Sequence, residues 1–116
     1  MVETLLQRLT DLDEVIGAIL IGKDGLIVTG ALHNEDEEVL GAMSAAIFGS
    51  IANYTTQVSS GETRHVIIET DTGTIQMIEV GDLILVVTTR SRSNLGRVRL
   101  EMKKAARQLS QLVASY

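Results

Sequence analysis

Two histidines and no cysteine are all that this chain offers for imidazole or thiolate chemistry. His33 stands before an acidic run and His65 in a β-branched stretch. With no thiolate and no third nitrogen ligand beside them, neither completes the three or four donors of a zinc-type site, so a structural or solvent-facing role is expected for each. The run Glu35-Asp36-Glu37-Glu38 offers carboxylates for acid–base work, but consecutive helical positions point around a helix, and acids at a helix start suit its positive end. Gly22-Lys23-Asp24-Gly25 superficially resembles a phosphate loop. Such a loop needs its Lys-Ser/Thr pair opening a helix, whereas a β-branched run follows here, and a hairpin turn is expected. Ser44 and Ser50 fall within a helical pattern without a glycine-flanked elbow. The bases Arg90, Arg92, Arg97, Arg99, Lys103, Lys104 and Arg107 can contact phosphates, but an isoelectric point near 4.9 and the lack of interleaved aromatics disfavour nucleic acid. No catalytic residue, cofactor or metal is therefore expected, and the chain reads as a non-enzyme.

The elements that would position these groups follow from periodicity. Leu5, Leu6, Leu9 and Leu12 predict a short amphipathic helix, and Val15 to Ile21 a strand apolar on both faces. After the turn, Leu26 to Thr29 returns as a second strand. Asn34 as N-cap and Glu37 three residues on start a long helix that ends near Gln57. Arg64 to Thr70, Thr74 to Val80 and Leu83 to Thr89 are β runs separated by breaks too short for crossovers, hence an antiparallel meander. Leu95, Val98, Met102, Ala105, Leu109 and Leu112 predict a final helix capped by Ser93. The order is α-β-β-α-β-β-β-α, and a strand apolar on both faces asks for helices on both sides of the sheet, a three-layer α/β (α+β) arrangement.

Composition bounds the rest. A chain of 116 residues makes a single domain, 1–116, and 45% apolar with 22% charged residues is the balance of a folded protein. Aromatics are 3%, which argues against stacked bases or a ring-lined pocket. The missing cysteines suit a reducing compartment, and Met1-Val2-Glu3 lacks the basic start of an export signal, so a cytoplasmic location is expected. Residues 39–61 carry no charge, but their polar residues interrupt any membrane span, and burial of this helix on two sides is expected. Net charge is divided: residues 1–89 hold fourteen acids and three bases, a net of −11, and residues 90–116 seven bases and one acid, a net of +6. A solvated helix face beside acidic neighbours is the expected meaning, with a basic docking surface as the alternative.

What remains is association. The strand at Arg64 to Thr70 holds Val66, Ile67 and Ile68 with neither Pro nor internal Lys, so as a sheet edge it is poorly protected against pairing. In the long helix Leu40, Met43, Ile47, Ile51 and Tyr54 form a large apolar stripe expected to fill the core. Gly41, Ala45, Gly49 and Ala52 form a small-residue stripe expected to meet another helix, with Phe48 beside it. The candidate partner surface is Gly41, Ala45, Phe48, Gly49, Ala52, His65, Val66, Ile67 and Ile68.

These features together resemble the Roadblock (dynein light-chain) family. The residues that carry the likeness are Gly17-Ala18-Ile19-Leu20-Ile21-Gly22-Lys23-Asp24-Gly25-Leu26, the small-residue helix, and Asn94-Leu95-Gly96 opening the last helix, within a span from Leu5 to Leu112. The resemblance implies a five-stranded antiparallel sheet with the central helix on one face and the terminal helices on the other. It further implies homodimers paired through the third strand and the central helices, and a scaffold or regulatory platform for a small Ras-like GTPase or a complex subunit. The chain ends at Tyr116, where motility GTPase activators of that family carry a tail, so platform binding is expected ahead of GTPase activation. A small-molecule sensory module of PAS or GAF type shares the sheet-and-helix outline and is the alternative; it would need a cavity of several hundred Å³ between sheet and helix.

Overall fold

The computed structural model describes residues 1–31, 37–90 and 95–113. The elements are α1 (Val2–Thr10), β1 (Val15–Gly22), β2 (Ile27–Ala31), α2 (Glu37–Gln57), β3 (His65–Glu69), β4 (Thr74–Val80), β5 (Leu83–Thr89) and α3 (Leu95–Val113). The five strands form one sheet in the order β2-β1-β5-β4-β3 with every pairing antiparallel. The expected fold class and element order hold. Differences are confined to ends: Leu26 belongs to the turn, β2 runs on to Ala31, and β3 is shorter than the predicted run by one residue at each end. The proposed caps Asn34 and Ser93, together with His33, Glu35, Asp36, Arg92 and Asn94, lie outside the described residues.

Period-2 alternation divides the strand side chains between two cores. Ala18, Leu20, Ile78, Val80, Leu85 and Val87 face α1 and α3, where Leu6, Leu9, Val98, Met102 and Leu109 close over them. Ile19, Ile21, Met77, Ile84 and Val86 face α2. This is why the sequence of β1 and β5 is apolar without interruption: both faces of the central strands are covered. Truncating one of these fully buried leucines costs about 2–5 kcal/mol.

The chain leaves β2 at one edge of the sheet and enters β3 at the other, so α2 has to carry it across. Five strands place their outer members about 19 Å apart. The 21 residues of α2 span about 31 Å, enough for a diagonal crossing. Glu37 and Glu38 occupy its first turn, where their charge complements the helix dipole. Its C-terminus closes in a Schellman arrangement. The Ser60 N–H donates to the Thr55 carbonyl at 2.9 Å and the Ser59 N–H to the Thr56 carbonyl at 3.0 Å, with Ser59 itself at φ 56°.

Candidate interaction surface

The face that α2 turns to the sheet is the one made of small residues. Gly41 is buried, and a Cβ there would stand 3.0 Å from the Gly25 carbonyl oxygen and 3.1 Å from Ile27 Cδ1. Gly25, at φ 91° in the β1–β2 turn, would likewise bring a Cβ to 3.1 Å from Ala42 Cα. The two glycines let the helix backbone rest on the hairpin turn, whose shape is fixed by the Gly25 N–H donating to the Gly22 carbonyl and the Leu26 N–H to Asp24 Oδ1. Ala45 and Phe48 continue this face into the core below, and Ala52 packs against the same cluster.

This corrects the expectation for α2. Gly41, Ala45 and Phe48 are taken up within one chain and leave nothing for a partner to touch. The large residues divide instead. Leu40 and Ile51 pack on the core, whereas Met43 is 55% exposed, Ile47 37% and Tyr54 66%. Gly49 is exposed with nothing within 4 Å of its Cβ position. The helix is therefore not buried on both sides within the chain: its outer side shows Met43, Ile47 and Tyr54 to solvent. The signal was in the sequence. Residues 41, 45, 48 and 52 fall on one side of a helix, so the large Phe48 is flanked by residues small enough to let it reach the sheet.

Between α2 and the β3–β4 side of the sheet lies a shallow apolar groove of about 100 Å³, lined by Leu40, Met43, Ile47, Ile68, Ile75 and Met77 among others. It leads from the exposed side of α2 to the sheet edge. It is far smaller than the several hundred Å³ that a sensory ligand requires, because Phe48 and Ala45 fill the space beneath the helix.

β3 is an edge strand. Its register is fixed by Glu79 N–H donating to the Arg64 carbonyl and Thr70 N–H to the Gly73 carbonyl, each at 2.9 Å, with Val66 opposite Met77 and Ile68 opposite Ile75. Antiparallel alternation then turns the backbone groups of Arg64, Val66, Ile68 and Thr70 toward β4, and those of His65 and Ile67 toward the open side. Val66 and Ile68 point their side chains under α2, Val66 being buried. Ile67 is 42% exposed on the other face, and His65 lies there beside α3.

His65 Nε2 is 3.1 Å from Oε1 of the buried Gln76, which satisfies that amide oxygen, while Nδ1 is buried without a partner among the described residues. Loss of water around the ring, with Arg99 and Lys103 nearby, lowers the His65 pKa below that of a free histidine despite the hydrogen bond the ring donates to Gln76. Among the described residues no cluster of three or more His, Cys, Asp or Glu could hold a metal, and no helix is long and apolar enough to cross a membrane.

The surface therefore has the form of an association site: an apolar helix side, a groove, and a sheet edge with unprotected backbone. The Roadblock/LC7 domain model matches residues 1–89. The chain belongs to the Roadblock/LC7 family. An uncharacterized protein of Methanocaldococcus jannaschii is 36% identical over 91% of this chain and 91% of its own length. Among solved structures, Myxococcus xanthus MglB is similar with a TM-score of 0.93 and 25% identity, over 99% of this chain and 96% of that one. A structure described as MglB with a tetrameric arrangement superimposes with a TM-score of 0.88 at 16% identity, over 98% of this chain and 88% of that one, a likeness of fold. The Roadblock/LC7 match ends at Thr89, so α3 lies beyond it, although the structural likeness to MglB runs through α3.

Proposed function

We propose that this Roadblock/LC7 chain is a non-catalytic, cytoplasmic homodimeric platform that binds a small Ras-like GTPase or another protein partner. The observation that carries the reading is the continuity of the exposed Met43–Ile47–Tyr54 side of α2 with the apolar groove and the open edge of β3. A monomer that left this strip in water would expose an apolar surface and the outer edge of a strand side by side, the two features that association covers. A two-fold axis beside β3 sets the strand against its own copy and brings the two α2 helices together over the joint sheet. Gly49, also clear of the core, is on the opposite flank of α2 and outside this strip. Gly41, Ala45, Phe48 and Val66 are buried in the chain's own core and Ala52 packs on it, so the surface consists of Met43, Ile47 and Tyr54 of α2 alongside His65, Ile67 and Ile68 of β3. Membership of the Roadblock/LC7 family supports a protein partner, the family resemblance of the sequence suggests the GTPase class, and among the described residues no acid, base and nucleophile converge for turnover by the chain itself.

The test is co-elution with purified Ras-like GTPases of the source organism, loaded with GDP or with a non-hydrolysable GTP analogue. A complex containing two copies of this chain is expected. GTP hydrolysis by the chain alone, or a complex with a single copy, contradicts the proposal.

A further inference from the structure

The positive charge of α3 is not spread evenly. On the side toward α1, Arg97 Nη1 is 3.8 Å from Oε1 of the buried Glu14, and Lys104 Nζ is 3.3 Å from Glu101 Oε1. On the side toward β4 and β3, Arg99, Lys103 and Arg107 make no ion pair among the described residues. These three are four residues apart and so form a row along the helix at intervals of about 6 Å. The row overlooks two adjoining open hollows of about 510 and 320 Å³, which share Ile78, Glu79 and Lys103. Their floor contains Ile78, Val80 and Ala106, and Arg64, His65 and Glu62 stand at the β3 end. The Glu79 carboxylate is engaged elsewhere, 3.0 Å from Lys23 Nζ.

We infer that this α3–β4 groove is a second docking surface, on the face opposite α2, and that it takes a short acidic segment of a partner protein. Alternate side chains of an extended peptide are about 6.7 Å apart, close to the interval of the Arg99, Lys103 and Arg107 row. Acidic residues at every second position can thus meet successive cations while the residues between them point away from the row. A longer polyanion is disfavoured. Glu62 stands at one end of the groove, and residues 1–89 carry a net of −11, whose repulsion extends over about 8 Å at physiological salt. The surface does not depend on self-pairing through α2 and β3, so either reading can fail without the other.

Fluorescence anisotropy of the full chain tests the inference, with a short fluorescein-labelled peptide carrying Glu at every second position and Val between. Binding that weakens as salt rises is expected. The variant Arg99→Gln/Lys103→Gln/Arg107→Gln should lose at least tenfold in affinity, and Arg97→Gln/Lys104→Gln less than threefold. All five side chains are exposed, and circular dichroism checks that both variants fold. Equal losses in the two variants, no binding of the peptide, or tighter binding of a single-stranded oligonucleotide or of phosphatidylserine vesicles would overturn it. So would a changed light-scattering mass in the Arg99/Lys103/Arg107 variant, which would assign the groove to a second copy of the chain.

Discussion

Met43→Ala should weaken self-association about twentyfold while leaving the fold of each chain intact. Met43 is 55% exposed in the single chain. Burying a whole methionine side chain contributes about 1.5–3 kcal/mol, so covering the exposed half contributes about 1 kcal/mol. A two-fold interface contains the residue twice, which makes the loss about 2 kcal/mol per dimer, slightly offset because truncation spares the entropy of ordering a flexible side chain. That corresponds to a dissociation constant raised about twentyfold. Within one chain truncation also loses the half of the side chain already buried, about 1 kcal/mol, partly offset because alanine is the better helix former, so unfolding of the monomer should change by about 1 kcal/mol at most. Sedimentation equilibrium over a dilution series gives the dissociation constant, and urea denaturation of the dilute, dissociated form gives the monomer stability. The reasoning is refuted if the constant moves less than threefold, or if monomer stability falls by the 2–5 kcal/mol typical of a truncated core methionine.

Other substitutions separate the two sides of α2 and probe its end. Gly49→Leu should keep or slightly raise monomer stability, because nothing lies within 4 Å and leucine favours helix by about 0.8 kcal/mol, and should leave self-association unchanged, because Gly49 is on the flank of α2 opposite Met43, Ile47 and Tyr54. Gly41→Leu, pressed against the Gly25 carbonyl and Ile27, should instead destabilise the monomer by about 1–3 kcal/mol, read from urea midpoints. Ser59→Gly relieves a left-handed residue in the Schellman turn and should stabilise by about 0.5–1 kcal/mol, raising Tm by about 3 °C in calorimetry. His65 has its folded pKa lowered by burial, so its contribution to stability is full above the ordinary histidine value of 6.5 and declines as pH falls below it. His65→Gln should flatten that part of the stability profile, and an unchanged slope counts against the assignment.

Much of the fold was written locally. The unbroken apolar runs of β1 and β5 announce strands covered on both faces, and the short breaks around Asp71 and Gly81 force hairpins. Strand order was less accessible, because β1 meets β5 only after most of the chain has intervened. The interaction surface was half legible. The sequence singled out β3 as a vulnerable edge and α2 as a helix with two distinct stripes. It did not show which stripe faces the sheet, since helical periodicity alone defines sides and not directions. Gly25 decides it: a glycine in the hairpin turn, matched to Gly41, marks where α2 comes down. The basic C-terminal segment was legible as charge but not as two sides, because the pairing of Arg97 with Glu14 joins residues far apart in the chain.

The Ile67 amide reports directly on the pairing of β3 with its own copy. Its N–H points away from β4, so in a single chain nothing in the sheet protects it from hydrogen exchange. At concentrations where the chain is dimeric, NMR-detected exchange should show Ile67 protected to a degree comparable with Val66 and Ile68, and that protection should vanish on dilution, at a concentration about twentyfold higher in Met43→Ala. An Ile67 amide that exchanges as fast in the concentrated state as in the dilute one would contradict it.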